Sequence, residues 1–286
     1  MKREEAVLHE LNLYPLWKRR GQAAPALSRA VAHPSDGAAS HSTRPSKDDS
    51  QVAGYPAYGT AEGSLRSSGA PTGAPLAGVG AGGEGEVDVP IRKSREQVIS
   101  ELGWPELKAM VRDCTACRLR AGCTQTVFGV GDEKANWLFV GEGPGADEDA
   151  RGEPFVGQAG KLLDNMLAAI KLKRGNNVYI DNIVKCRPPG NRTPAADEIA
   201  TCLPYLQRQI ELIQPKLIVA LGKTAATALL GRDAALGSLR GKLYDYRSIP
   251  LLVTYHPSYL LRTPMDKEKA WQDLCLAVET MKELQQ

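Results

Sequence analysis

The sequence predicts an α/β protein in which a parallel sheet is covered by helices on both faces. Four short apolar runs bounded by turn residues are typical of interior strands, at 137–140, 178–184, 217–221 and 250–254. Segments with apolar residues at helical spacing alternate with these runs, and this alternation favours parallel strands. Residues 21–92 are instead rich in Ala, Gly, Ser and Pro and lack the bulky side chains of a core.

Each strand is followed by a segment with helical features. We expect helices over 96–110, around 162–170, from Thr193 to about Ile213, and over 223–230 and 266–284. Thr193 is expected to cap its helix, with Pro194 in the first turn. Parallel sheets bind ligands outside the carboxyl ends of their strands. The residues expected at that edge are 141–145, Asn182, Gly222 and His256.

The chain divides into three parts by composition. Residues 1–20 form a short amphipathic segment that either docks in the groove of a partner protein or folds back on its own domain. Residues 21–92 are expected to be a disordered linker, and residues 93–286 the folded domain. Three of the four histidines precede residue 93, which leaves His256 as the candidate for a preorganised site.

Charge and hydropathy restrict the protein class. The formal net charge is only +3, so any nucleic-acid binding must come from a local basic face. No apolar run is long enough to span a bilayer, and the amino terminus lacks the pattern of a secretory signal. We therefore expect a soluble intracellular protein. In a reducing compartment its six cysteines indicate metal binding or catalysis and not disulfides.

Four of the cysteines are spaced like metal ligands. Cys114 and Cys117 form a C-x2-C pair, whereas Cys186 and Cys202 are separated by fifteen residues. Four thiolates suit an iron–sulfur cluster or a structural zinc ion. The wide second pair favours a 4Fe-4S cluster, while zinc and buried spare cysteines remain alternatives. Cys123 and Cys275 are left as core or free thiols.

Three motifs, together with these cysteines, carry a family resemblance. They read GEGPGADEDARGEPFVGQAGKLL from Gly141, NIVKCRPPGNRTP from Asn182 and HPSYLLR from His256. Over residues 94–284 the chain resembles the family 4 uracil-DNA glycosylases, the iron–sulfur branch of that superfamily. The resemblance implies a three-layer α/β/α fold around a four-stranded parallel sheet and excision of uracil from DNA. It also implies a 4Fe-4S cluster on Cys114, Cys117, Cys186 and Cys202.

The same resemblance implies roles in a uracil pocket. Phe155 is expected to stack on the base, with a core contact as the alternative, and Glu148 to crowd the C5 position against thymine. The Asn182 amide is expected to donate to uracil O4 and accept from N3–H, a pattern that cytosine reverses. His256 is expected to donate to O2 as the base gains negative charge.

The group that activates water is less defined. Related families place an aspartate where this sequence has Gly143. The role is left to Glu142, Asp147, Glu148 or no side chain, although Glu142 and Gly143 are expected to line the pocket. The expected catalytic residues are thus His256, Asn182 and Glu142.

Basic residues at the motif edges predict a DNA-binding face. They are expected to contact phosphates, which position a protein on DNA without reading sequence. A leucine after His256 is expected to wedge into the gap left by the flipped base. The residues assigned to this face are Lys185, Arg187, Arg192, Arg240, Lys242, Ser258, Leu260 and Arg262. We expect a monomer that works on uracil-containing DNA at the nucleoid in the cytoplasm, with a replication or repair protein bound by residues 1–20.

Two other functions agree with parts of the pattern. One alternative is a related protein that recognises uracil in DNA and stays bound without turnover, but that branch has a basic histidine-containing insertion that RPPGNRTP lacks. A zinc-stabilised nucleotide-binding module without chemistry would explain the cysteines and the glycine turn.

Overall fold

A computed structural model describes residues 93–286. The expected docking segment 1–20 and the expected linker 21–92 lie outside the described residues. Within 93–286 the strands form one six-stranded sheet in the order β1-β3-β2-β4-β6-β5. The strands are β1 (Val130–Gly131), β2 (Trp137–Gly141), β3 (Val178–Asn182), β4 (Leu217–Leu221), β5 (Leu243–Tyr246) and β6 (Ile249–Thr254).

The centre of the sheet confirms the predicted four-stranded parallel arrangement. Strands β3, β2, β4 and β6 are parallel, and all five residues of β2, β3 and β4 are buried. Two antiparallel edge strands, β1 and β5, were not predicted. Strand β1 has only two residues, and only one of the four residues of β5 is buried, so neither carries the apolar signature of an interior strand.

Helices cover both faces of this sheet. None of those within residues 93–286 combines the length and the apolar character needed to cross a bilayer. The α-helices are α1 (Arg95–Glu101), α2 (Trp104–Arg112), α3 (Ala146–Arg151), α4 (Gln158–Ala169), α5 (Ala196–Ile213), α6 (Lys223–Leu230), α7 (Leu236–Leu239), α8 (Pro257–Arg262) and α9 (Lys267–Glu283).

Two predicted helices differ from the structure at their starts. The single helix expected over 96–110 is two helices, because Gly103 is extended and Pro105 lies in the first turn of α2. Helix α5 begins at Ala196 and not at the predicted Thr193–Pro194 start. The Glu198 carboxylate accepts the free backbone N–H of Ala195 at 2.8 Å and takes the role of a cap.

The core lies in two layers, one on each face of the sheet. Leu138 and Val140 of β2 belong to one apolar cluster, and Trp137 and Phe139 belong to the other. This division follows from the alternation of side chains along a strand. The first cluster includes the helix α5 side chains and Cys186, whereas the second includes side chains of α4 and α9. The three-layer α/β/α fold is confirmed.

Candidate active site

The candidate site lies at the carboxyl edge of the parallel strands. Gly141 ends β2 and is paired in register with Asn182, the last residue of β3. A Cβ atom on Gly141 would lie 2.5 Å from both Asn182 Oδ1 and Phe155 Cζ. Only glycine allows this approach. The structure therefore brings the predicted amide and aromatic ring together at the first turn.

The Phe155 ring also faces the predicted imidazole. Its centroid lies 5.5 Å from that of His256, and the two planes are tilted by 32°. Phe155 itself is buried and has φ of 56°, a left-handed conformation that is costly for a residue with a side chain. Arg174 stabilises it by donating to the carbonyl oxygens of Pro154 and Phe155, each at 2.8 Å. Sequence reasoning missed Arg174, which lies outside the motifs.

Glu148 connects the loop that carries Phe155 to the glycine turn after β2. Its Oε1 accepts the backbone N–H groups of Val156 at 2.9 Å and Gly157 at 3.0 Å, and its Oε2 accepts that of Gly145 at 3.1 Å. Both carboxylate oxygens are thus engaged in bracing the backbone. The role expected for Glu148 at the C5 position stays a prediction.

Asn182 carries a buried acceptor without a partner. The residue is 2% exposed, and no residue within 93–286 forms a hydrogen bond to its Oδ1. Its backbone N–H donates to Asp181 Oδ1 at 2.7 Å. A buried polar atom without a partner costs free energy, so a ligand with an N–H group is the fitting complement.

His256 is held in one tautomer. It caps α8, and its Nδ1 accepts the Ser258 backbone N–H at 3.2 Å and lies 2.8 Å from Ser258 Oγ. Because Nδ1 is an acceptor, the proton of the neutral ring is on Nε2. Burial, with a smaller contribution from the positive charge of Arg262, lowers the pKa of His256 to about 4. The ring is therefore a neutral donor at physiological pH.

Glu142 has a partner that the sequence did not indicate. The hydroxyl of Thr224, at the start of α6, donates to Glu142 Oε2. The only sequence signal was the position of Thr224 just after a predicted interior strand, where side chains reach the same sheet edge.

The four predicted cysteine ligands line one cavity on the face of the sheet covered by α5. Cys114 and Cys117 come from the segment after α2, Cys186 follows β3, and Cys202 lies on α5. Burial raises the pKa values of Cys117 and Cys186 and raises that of Cys202 to about 11. No group of three or more His, Cys, Asp or Glu side chains within 93–286 is arranged to hold a single metal ion.

Arg95 gives the cavity an unpaired donor. Its Nη1 donates to the carbonyl oxygen of Thr201 at 2.8 Å, and its guanidinium lies 4.7 Å from the centre of the Tyr205 ring. Its Nη2 is buried and forms no hydrogen bond with another residue of 93–286. An anionic group surrounded by the four thiols would supply one.

A buried carboxylate ties together the segments that carry these cysteines. Glu198, one turn before Cys202 on α5, accepts from Arg192 at 2.7 and 2.8 Å and from Arg118 at 2.8 Å. Arg118 directly follows Cys117 in the chain. These bonds, those of Arg192 above all, lower the pKa of Glu198 to about 2. Glu198 therefore stays ionised and holds the cysteine segments in place.

Two expectations for the DNA-binding face are wrong. Leu260 is 1% exposed and packs in the second core cluster, because it lies on the inner side of α8, whereas Leu261 is 44% exposed. Lys185 is also 1% exposed, and its ammonium contacts Asp181 instead of solvent.

Other members of that face have partners within the protein. Arg240 pairs with the buried Asp273, and Arg192 with Glu198. Ser258 contacts the His256 ring. Three basic residues of the predicted face, Arg187, Lys242 and Arg262, are partly or fully exposed and form no ion pair with another residue of 93–286.

The fold and this sheet edge define an α/β protein with an aromatic ring, an amide and a neutral imidazole side by side at the carboxyl ends of its parallel strands. Comparison with known proteins gives the family. Residues 128–275 match the family model described as "Uracil DNA glycosylase superfamily". The chain belongs to this superfamily.

Individual relatives agree with this assignment. A type-4 uracil-DNA glycosylase of Pyrobaculum aerophilum is 42% identical over 179 residues, which cover 60% of this chain and 91% of the relative. One from Thermotoga maritima is 47% identical over 154 residues, 53% of this chain and 80% of the relative. A type-5 uracil-DNA glycosylase of P. aerophilum is 32% identical over 149 residues, 46% of this chain and 64% of the relative.

We predict that Gly160→Ala destabilises the protein. A Cβ atom there would lie 1.8 Å from the carbonyl oxygen of Phe155, so the loop or α4 must move. Overpacking of this kind costs about 1–3 kcal/mol, although Ala is normally better than Gly in a helix. Thermal denaturation of Gly160→Ala should show a lower Tm. Gly237→Ala is the matched control, since its Cβ meets no atom within 4 Å; equal Tm values for both variants would contradict the close contact.

We also predict that His256 stays neutral far below the usual histidine range. Its folded pKa of about 4 lies below the ordinary value of 6.5. The contribution of the neutral ring to the free energy of unfolding is thus fully present above pH 6.5 and is lost as the pH falls towards 4. NMR titration of labelled histidine, with His256 assigned from its absence in His256→Asn, measures this pKa directly. A midpoint near 6.5 for that signal would refute the enclosed, neutral ring.

Proposed function

We propose that this protein removes uracil from DNA by hydrolysing the bond between the base and its deoxyribose, the first step of base excision repair. The observation that carries the proposal is the buried, unpartnered Oδ1 of Asn182, which lies beside Phe155. A uracil N3–H supplies the donor that this atom lacks. Membership in the superfamily and the type-4 relatives support the same substrate.

Base selection rests on the Asn182 amide. With Oδ1 accepting from N3–H and the amide nitrogen donating to O4, the side chain matches uracil. Cytosine has an acceptor at N3 and a donor at C4, so it leaves both the oxygen and the nitrogen of the Asn182 amide unpaired. A site that hydrogen-bonds polar groups of its substrate discriminates by large factors in kcat/KM against an analogue without those groups. The buried groups of the site then lose their partners.

Leaving-group stabilisation rests on His256. Cleavage of the glycosidic bond leaves negative charge on the base, and the Nε2–H of the neutral ring is the donor for O2. Its tautomer is fixed before the substrate arrives by Ser258, through the bonds to Nδ1. A preorganised donor of this type contributes about 3–4 kcal/mol to transition-state stabilisation.

Water activation is assigned to Glu142. Its carboxylate lies in the turn beside Gly143 and is oriented by the Thr224 hydroxyl. Glu148 is less suited to the role, because both of its oxygens already accept backbone N–H groups. We therefore assign to Glu142 the orientation of the water molecule that attacks the sugar.

The DNA must release its base from the stack before the pocket can hold it. Extrusion of a nucleotide costs a few kcal/mol, which contacts to the backbone must offset. Arg187, Lys242 and Arg262 are the basic side chains we assign to phosphate contacts, and the exposed Leu261 replaces Leu260 as the apolar side chain beside the gap.

A 4Fe-4S cluster is proposed for the cysteine cavity. Cys114, Cys117, Cys186 and Cys202 would hold it, and the unpaired Nη2 of Arg95 fits an anionic occupant. When bound, a cluster of this type cross-links the segments that supply its thiolates and can exchange an electron.

The remaining proposals concern parts outside the described residues and the protein's surroundings. We propose that residues 1–20 bind a replication or repair protein, and that the enzyme acts as a monomer at the nucleoid in the cytoplasm. Pull-down with a peptide of residues 1–20 tests the first, and retention of no repair protein would refute it.

The proposed function predicts a specific cleavage pattern. Wild type should release uracil from uracil-containing oligonucleotides, seen as strand breaks after alkali, and should leave thymine-containing ones intact. Asn182→Ala and His256→Ala should each lose at least about 100-fold in single-turnover rate, since each removes a group that contacts the base.

The same assay separates turnover from tight binding. Multiple turnovers on excess substrate exclude a protein that binds uracil and stays attached. A heat-stable adduct between protein and DNA, with no turnover, would contradict the proposed hydrolysis. Gly237→Ala serves as an active control because its position is open.

The cluster makes a separate prediction. Anaerobically purified protein should contain iron and acid-labile sulfide and show broad visible absorption. Cys202→Ser should lose both, because it removes one of four ligands. Cys275→Ser on α9, which does not line the cavity, is the control and should keep them. Zinc in place of iron and sulfide would show a structural zinc site instead.

A further inference from the structure

Lys185 lies between the uracil pocket and the four-cysteine cavity. The residue lines the cavity, and its backbone N–H donates to Cys202 Sγ at 3.3 Å. A lysine is almost never fully buried unless its charge is paired. The Lys185 ammonium therefore acts on other groups of the protein and not on DNA or solvent.

The ammonium of Lys185 closes a ring of contacts around the backbone of Asn182. It donates to the Asp181 carboxylate and, at 3.2 Å, to the carbonyl oxygen of Asn182. The same Asp181 oxygen accepts the backbone N–H of Asn182 at 2.7 Å. The N–H and the carbonyl of Asn182 are thus both held by one buried ion pair, which fixes the point from which its side chain projects.

A buried ion pair is a poor source of stability. The cost of removing two charges from water often exceeds their attraction, and apolar replacements are frequently as stable. This pair is also incompletely matched, because Asp181 Oδ2 finds no hydrogen-bond partner among residues 93–286. An arrangement that contributes little to stability but holds one peptide unit from two sides is better explained by the precision it gives to that unit.

We propose that Lys185 is a positioning residue for uracil recognition. It holds Asn182 in register with the base edge, and its own backbone is anchored to the cysteine centre through Cys202. The inference rests on the proposed function, in which the Asn182 amide reads uracil. A misplacement of about 1 Å in such a group can cost 100-fold in rate, so the effect of Lys185 on excision is expected to exceed its effect on folding.

The test is a double-mutant cycle on the full-length protein with its cluster. Lys185→Met should lower the single-turnover rate of uracil excision about 100-fold and weaken competitive inhibition by free uracil. In the Asn182→Ala background the same substitution should change the rate less than about threefold, because no amide remains to be positioned. Full additivity of the two substitutions would overturn the proposal.

A second variant separates positioning from charge balance. Lys185→Met alone leaves Asp181 buried without its partner and should lower Tm. The double variant Asp181→Asn/Lys185→Met removes both charges and should recover Tm without recovering excision. If excision returns together with Tm, Lys185 only balances the charge of Asp181, and the proposal is wrong.

Two readouts are independent of activity. Iron content and visible absorption should be unchanged in Lys185→Met, and loss of either would show that the residue acts through the cysteine centre and not through Asn182.

Lys93→Met, which breaks the exposed pair with Glu101, is the control and should match wild type in every assay. If wild type itself releases no uracil, the proposed function fails; an active wild type with an additive cycle refutes only the role of Lys185.

Discussion

The register between β2 and β3 is the constraint on which the site depends. Parallel pairing places Gly141 opposite Asn182, and the absence of a side chain at Gly141 leaves room for the amide and for the Phe155 ring. A shift of one residue would turn every side chain of the strand to the other face of the sheet. The buried apolar residues of both strands oppose such a shift, so the core of the protein fixes the geometry of its pocket.

Carboxylates bonded to the backbone or to arginines recur as supports for this arrangement. Glu148 joins two loops through three backbone N–H groups, Glu198 joins the cysteine segments, and Asp181 holds the end of β3. Both oxygens of Glu148 and of Glu198 accept from donors of the fold, whereas Asp181 uses only Oδ1. Acidic residues in a glycine-rich turn are easily assigned to catalysis from sequence, but Glu148 in this protein organises the backbone.

The sequence predicted the parts of the molecule that have local signals. Apolar runs predicted the four parallel strands. The motifs predicted that Phe155, Asn182 and His256 meet at one edge of the sheet and that four cysteines line one cavity. Contacts between distant segments were not predictable, because nothing near Thr224 or Arg174 in the chain marks their partners. The prediction that Lys185 and Leu260 lie on the surface was wrong for a related reason. A basic or apolar residue beside a motif looks the same in sequence whether its side chain points inwards or outwards.

The empty acceptor on Asn182 also bears on how this protein can change. In the free state it lowers the stability of the fold, and a residue of similar size without polar atoms would pack there at less cost. Selection for a long-lived fold alone would therefore remove the group that we propose distinguishes one pyrimidine from another. Its persistence in a lineage marks continued use of the pocket, and its replacement by an apolar residue would be an early sign that a descendant has abandoned the reaction.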